Sequence, residues 1–295
     1  ALFVVPLLIA VSSGGASISL GDVVKFFTFG ELDETKELIL TQMRLPRLVL
    51  GILIGALLAT SGVVVQSVFL NPLADPYIIG IASAATFGAV IAYLLGLSDV
   101  FYGIFAFLSA SALSIVIFKL AAHTRSISTL LIVGIAVSSF LGAFTSFAVY
   151  LIGEDSFRIT AWMMGYLGGA NWQKIALLLP PLLFCMAYFY AKRHELNIIL
   201  NGDEEAKSLG LNVEKSKKSL LIASSLIIGF SVAFTGMIGF VGLIIPHTLR
   251  MALRTSSNAV LIPASALTGG VFLVFCDVIA KNALSPVEIP IGVVT

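Results

Sequence analysis

An all-α, polytopic membrane fold is predicted from three observations. Hydrophobic residues fill 58% of the 295 positions and charged residues only 11%, where a soluble globular chain carries about 25% charged residues; mean hydropathy is +1.05. The apolar residues fall in successive runs close to the roughly 20 residues that cross a bilayer core as a helix. Lys and Arg are spread unevenly between alternate loops, as topology in a membrane requires.

Taken in order, the predicted spans are 1–12, 48–69, 77–97, 101–121, 128–152, 173–191, 219–238, 240–253 and 259–280, with another beginning near 287. The opening "ALFVVPLLIAVSSGGAS" has the short apolar core and small residues of a signal peptide. It shows no basic segment before that core, and the chain is membrane-spanning throughout, so it is read as the tail of a first transmembrane helix in a trimmed sequence. Arg44 and Arg47 in "RLPR" precede the second span, and Pro46 suits its first turn, where a missing N–H costs nothing. Arginines at that edge serve either as headgroup anchors or as forks for the carboxylates of a partner. Gly51, Gly55, Ala59 and Gly62 form a small-residue stripe that lets helix backbones approach closely.

"FLNPLADPYIIG" (69–80) interrupts the apolar rhythm with two prolines, Asn71 and Asp75. It reads as a tight turn between spans, with Asp75 placed to cap the third. "WMMGYLGGANW" holds too many glycines for a plain span. Its tryptophans, Trp162 and Trp172, suit an interface. Its glycines suggest a short or re-entrant helix, because irregular backbone at membrane depth must line protein or water. Phe144, Phe147 and Trp162 are candidates to line an apolar route. The run 219–245 is too long for one untilted helix, and Gly236, Gly239 and Gly242, followed by Pro246, offer a turn inside it; length alone leaves the number of spans open.

The longest polar segment is "AKRHELNIILNGDEEAKSLGLNVEKSKKS" (191–219). Asp203, Glu204 and Glu205 suit the first turn of a short helix, where the dipole favours anions. Gly210 suits the position just past its end, and Asn212 suits the cap of the next helix. Ala206 and Leu209 are expected to share one small apolar face, which makes the helix either a docking knob or a solvated loop. Asp277 lies inside an apolar run, with Lys281 four residues on, and an ion pair between them is the simplest way to satisfy both.

If the loops near 70–76, 119–127, 192–218 and 247–258 face the cytoplasm, they hold ten of the 17 basic residues. The charge balance of +1 implies no polyanionic partner, so nucleic acid is excluded. No G-x-x-x-x-G-K-[ST] phosphate loop is present. His123, His194 and His247 have no metal-ligand spacing, Cys185 and Cys276 read as small buried hydrophobes, and no nucleophile–base pair assembles. The chain is therefore expected to hold no metal, to carry no catalytic residue, and not to hydrolyse ATP itself.

Several stretches closely resemble the permease subunits of FecCD-type ABC importers for iron-siderophore, haem and cobalamin: "RLPR", "GALLATSGVVVQSVFLNPLADPYIIG" (55–80), "LNIILNGDEEAKSLGLNV" (196–213), "GMIGFVGLIIPHTLR" (236–250) and "PVEIPIGVVT" (286–295). The resemblance runs from Arg44 to the last residue. It implies a single permease domain over 1–295, with a short cytoplasmic coupling-helix region at 200–218. It further implies about ten transmembrane helices per subunit, the last largely absent here, and a multi-pass place in the bacterial inner membrane. The partners it implies are a second copy of the chain, two ATP-binding cassette subunits that carry the ATP and Mg, and a periplasmic substrate-binding protein. By the same resemblance, Asp203, Glu204, Glu205, Ala206, Leu209 and Gly210 form the coupling helix. Asn71 and Leu73 belong to a cytoplasmic gate opposite Ser128, in a loop where Ile127 departs from a relative's hydroxyl pair. Arg44 and Arg47 dock the binding protein, with Lys281 standing where relatives often have Arg, and Gly236 to Gly242 form an outer hairpin turn. The function implied is inward translocation of a metal chelate. A secondary transporter is the alternative, and it would need charged coupling sites at mid-membrane, of which the spans hold almost none. A membrane-embedded hydrolase would need paired catalytic side chains, and none is present.

Overall fold

In a computed structural model, which describes residues 4–12, 18–30, 32–121, 127–285 and 287–295, the regular elements are all helical among the described residues. In chain order they are α1 (Val4–Ser12), α2 (Leu20–Phe29), α3 (Glu34–Ile39), a π-helical turn (Leu40–Arg44), α4 (Leu45–Val68), a 3-10 turn (Pro76–Ile79), α5 (Ile81–Leu94), α6 (Asp99–Ala121) and α7 (Ile127–Ile152). A 3-10 turn (Gly153–Ser156) then leads to α8 (Phe157–Met163), α9 (Trp172–Ala191), α10 (Arg193–Ile199), α11 (Asp203–Ser208), α12 (Val213–Thr235), α13 (Val241–Leu253), α14 (Asn258–Asn282) and α15 (Ile291–Val294).

Among the described residues, six helical stretches are long and apolar enough to cross a membrane, those containing α4, α6, α7, α9, α12 and α14, and α5 and α13 are shorter apolar helices. The ambiguous run is two helices: α12 ends at Thr235, and Gly236 (φ +68°) turns the chain before α13. Helices α2 and α3 were not anticipated. Ser19 and Asp22 form a reciprocal capping box that starts α2, and Val11, Ile18, Val23 and Leu40 make a small core beneath it.

Helix α4 is the central strut. Its stripe of small residues lets α14 and α13 lie almost backbone to backbone against it. A β-carbon at Gly55 would overlap the carbonyl of Gly269, and one at Gly62 would overlap that of Gly242. These helices are hydrophobic on all sides, as buried or lipid-facing helices are. On α7 the large apolar residues Ile132, Phe140, Phe147 and Tyr150 are exposed. The strut also sets the geometry of function: its 24 residues rise about 36 Å and separate an Arg47 end from an Asn71 end.

Candidate functional site

At the Asn71 end, α4 breaks after Val68 because Leu70 takes a left-handed conformation (φ +52°) and Pro72 follows. The Asn71 side-chain oxygen accepts the Leu73 N–H at 2.9 Å, and the Asn71 carbonyl accepts the Ala74 N–H at 3.1 Å, so the turn is held by its own residues. Leu73 is 59% exposed. Asp75 does cap, but not the span: it accepts the Tyr77 N–H at 2.7 Å and starts the 3-10 turn that precedes α5. Burial pushes its carboxyl above the ordinary range, with the Tyr77 N–H pulling the other way. Ser128 belongs to the first turn of α7, and its side chain lies outside the described residues, as do His123 and Arg125.

The polar segment folds as its local grammar predicts. Helix α11 begins with Asp203, Glu204 and Glu205 in its first turn and closes in a Schellman motif. Gly210 (φ +84°) donates its N–H to Lys207, and Leu211 donates to Ala206. Only a residue without a β-carbon takes that φ at no steric cost. Asn212 caps α12 by accepting the Lys215 N–H at 3.1 Å. One expectation is corrected: Ala206 and Leu209 do not present one apolar face. Ala206 is fully buried and anchors the helix to the body, whereas Leu209 is 62% exposed. Lys217, itself buried, holds Asp203 at 2.5 Å and fixes the start of the helix. Glu204 pairs with Lys207 on the exposed side, and Glu205 is exposed.

A cleft of about 510 Å³ separates these two features, lined by Gln66, Asn71 and Pro72 on one wall and by Leu200, Asn201 and Gly202 on the other, with Arg250 between them. Beneath it runs a polar chain that the sequence did not reveal. Arg250 donates to the Gln66 side-chain oxygen and, at 3.3 Å, to the Ser67 hydroxyl. That hydroxyl lies 3.1 Å from the Asn258 side-chain oxygen. Asn258 in turn donates its backbone N–H (2.8 Å) and its side-chain amide (3.0 Å) to Asn197 on α10. Among the described residues no carboxylate pairs with Arg250.

The Arg47 end is built differently. Arg47 grips Asp277 through Nε (3.1 Å) and Nη2 (2.9 Å), reaches Glu288 at 3.0 Å, and lies 5.8 Å from the centre of the Tyr166 ring. The expected Asp277–Lys281 pair is present at 2.7 Å. Arg44 is buried and donates to the Val11 carbonyl. Beside this charged cluster the backbone that follows α8 is tied to the end of α12 and the start of α15. The Tyr166 N–H donates to Thr235, that of Ile291 to Gly165, and that of Gly292 to Met164. The expected short or re-entrant helix is not found in the glycine-rich stretch: α8 ends at Met163, and residues 164–171 are turns and irregular backbone, tied in part to other segments through Gly165 and Tyr166. Trp172 donates to the Thr41 carbonyl. Trp162 packs edge-on against Tyr102, while Phe144 and Phe147 are exposed on α7.

Comparison with known proteins fits this arrangement. The model of the FecCD transport family matches residues 2–295. An ABC transporter permease protein of Bacillus subtilis, YvrB, is 36% identical over 99% of this chain and 86% of its own length. The cobalamin import system permease protein BtuC of Halobacterium salinarum is 41% identical over 89% of this chain and 71% of its own. Among solved structures, a transporter described as of metal-chelate type, in an inward-facing conformation, superposes with a TM-score of 0.88 at 31% identity, covering 99% of this chain and 91% of that one. These relatives are permease subunits, which are not themselves enzymes.

Proposed function

Because the chain belongs to the FecCD transport family, a family of multi-pass ABC-transporter permeases, we propose that it is the membrane subunit of a binding-protein-dependent importer. The cargo class is a metal chelate, of which cobalamin, haem and ferric siderophores are members, and it moves inward by alternating access. The motor is a pair of separate ATP-binding subunits that carry ATP and Mg; this chain binds neither. The working unit is two copies of the permease domain, each of about ten helices, in the bacterial inner membrane. A periplasmic binding protein delivers the cargo.

The observation that carries this reading is the placement of α11. It is a short helix anchored through Ala206 and Lys217, with Leu209 exposed, and only a cleft separates its approach from the Asn71 turn. A force applied to α11 by an ATP-binding subunit therefore acts beside the gate formed by Asn71 and Leu73, with Ser128 opposite. The basic residues concentrated at this end orient it toward the cytoplasm. Arg44, Arg47 and Lys281 then lie on the periplasmic side, where Asp277 keeps hold of Arg47 and Lys281 and the half-exposed Glu288 is the carboxylate that docking of the binding protein displaces.

The test is the Glu204→Arg/Leu209→Asp double variant, co-expressed with its ATP-binding subunits and reconstituted with its binding protein, cyanocobalamin serving as the first probe. Both positions are exposed, so membrane insertion is retained. Uptake is expected to fall at least tenfold relative to ATP hydrolysed, the effect of removing about 1.4 kcal/mol of coupling. Uptake at the level of the unmodified complex would sink the assignment of α11.

A further inference from the structure

The polar chain below the cleft joins four helices. Gln66 and Ser67 end α4, Arg250 is on α13, Asn258 opens α14, and Asn197 is on α10, one helix before α11. Two features show that it is built rather than incidental. Asn258 is fully buried, and its backbone N–H, one of the donors that the start of α14 leaves without a helical partner, is satisfied by Asn197 from another helix. Gln66 uses both ends of its amide: the oxygen accepts from Arg250, while the nitrogen donates to the Leu243 carbonyl at 3.0 Å. The Gln66 backbone carbonyl also accepts the Asn71 N–H at 3.1 Å. The chain thus runs from the Asn71 turn to the arm that bears α11, with the single Ser67 proton shared between the Asn258 oxygen and the Val63 carbonyl one turn back.

Arg250 is the unusual member. A guanidinium in a half-buried site is ordinarily matched by a carboxylate, yet here its partners are an amide and a hydroxyl, both neutral. Neutral partners hold it in one geometry without locking it by charge, and the cleft above provides room for the two walls to approach. We propose that Arg250 is a positioning residue for transport. It keeps Gln66 and Ser67 in register with Asn258 and Asn197, so that displacement of α11 is delivered to the Asn71 turn rather than dissipated in the cleft. This inference rests on the importer reading above.

The test uses the complete transporter, permease with its ATP-binding subunits, in proteoliposomes with its binding protein and cyanocobalamin. Spin labels at Leu70→Cys and Asn201→Cys report the width of the cleft by electron–electron resonance. In the otherwise unmodified complex, ATP with vanadate is expected to shift the label distance. In Arg250→Met the shift is expected to vanish, and uptake per ATP to fall about 3- to 30-fold, the range of coupling changes along a contiguous network, while basal ATP hydrolysis persists. Arg250→Lys keeps the charge and one of the two contacts and is expected to recover part of both readouts. Ser67→Ala, which cuts the same chain by removing a single hydroxyl, is expected to reproduce the loss in a weaker form, and it reports on the chain even if the Arg250→Met protein does not fold. A wild-type distance shift and uptake per ATP in Ser67→Ala and Arg250→Met overturns the inference and leaves the importer reading standing. Absence of ATP-driven uptake in the unmodified complex, tried across cobalamin, ferric-hydroxamate and haem probes, overturns that reading and the inference with it.

Discussion

Each end of α4 has its arginine, and the two are held in opposite ways. Arg47 is matched by two carboxylates and lies over the Tyr166 ring, beside the backbone bonds that tie the segment after α8 to α12 and α15. Arg250 is matched by an amide and a hydroxyl and opens onto a cleft. A buried guanidinium with a bidentate carboxylate is hard to move, because either charge left alone is expensive. A guanidinium on neutral acceptors can change partners at little cost. One end of the strut is therefore a clamp and the other a joint. That division is what a helix bundle needs if it is to rock about one end.

The largest test of the contrast is Asp277→Asn. Asp277 serves both Arg47 and Lys281, and all three side chains are at most 12% exposed. Its neutralisation leaves two buried cations sharing one half-exposed carboxylate, Glu288. The expected loss of stability is about 3–5 kcal/mol, read as a fall in the midpoint of thermal unfolding of the detergent-solubilised protein. An unchanged midpoint would mean that this end is not a clamp.

Arg250→Met, at the other end, is expected to cost less. No opposite charge is stranded, and Gln66 and Ser67 retain other hydrogen bonds. Loss of the guanidinium's bonds is worth about 1–2 kcal/mol in the same unfolding assay. A loss as large as that of Asp277→Asn would erase the distinction between clamp and joint.

Which parts of this contrast the sequence reveals follows from how local each interaction is. Asn212 as a cap and Gly210 past the end of α11 are legible, because each is fixed by residues within a few positions of itself. The Asp277–Lys281 pair is legible for the same reason. The turn at Gly236 is one of several that the glycines offer, and the backbone of Trp162 packs against it from far along the chain. Helix α2 carried a local signal as well, in the spacing of Ser19 and Asp22, but an amphipathic helix among apolar runs is easily passed over. Ala206 was misplaced because a six-residue helix has no strong face of its own; the body of the protein decides which side it buries. The joint was illegible. Arg250 meets Gln66 across 184 positions, and Asn258 meets Asn197 across 61. A glutamine and two asparagines in apolar surroundings give no sign of their partners until the helices are packed. The Arg47–Glu288 contact, across 241 positions, was hidden in the same way.

Asn71→Ala probes the joint at the Asn71 turn, the part proposed as the gate. The substitution removes the acceptor for the Leu73 N–H but leaves the backbone bonds to Gln66 and Ala74 in place. Because the turn is exposed, the cost in stability is expected at about 0.5–1.5 kcal/mol. The effect on transport is expected to exceed that on stability: cobalamin efflux from loaded proteoliposomes without ATP should rise as the turn loosens. Unaltered leak together with unaltered uptake would reduce the stretch to a connecting turn.

The smallest effect lies on the arm that links α11 to the joint. Glu195 on α10 accepts from Lys192 at 2.5 Å and from the Ser216 hydroxyl. Burial alone would raise its carboxyl, but the bond and charge of Lys192 and the bond from Ser216 outweigh it and leave the group below its ordinary value. A carboxyl held low in the folded state stabilises the fold wherever it is ionised. That contribution is present at neutral pH, begins to fade as pH drops below the unfolded value of about 4.3, and is gone once pH passes below the folded value. With the pair about a third exposed, it amounts to no more than about 1 kcal/mol. Unfolding midpoints followed from pH 7 to pH 3 should therefore converge for the native protein and Glu195→Gln at the acid end, with the native protein ahead at neutral pH. A constant gap across that range would show that the Glu195 carboxylate does not brace the arm, and the joint would then depend on Asn197 and Asn258 alone.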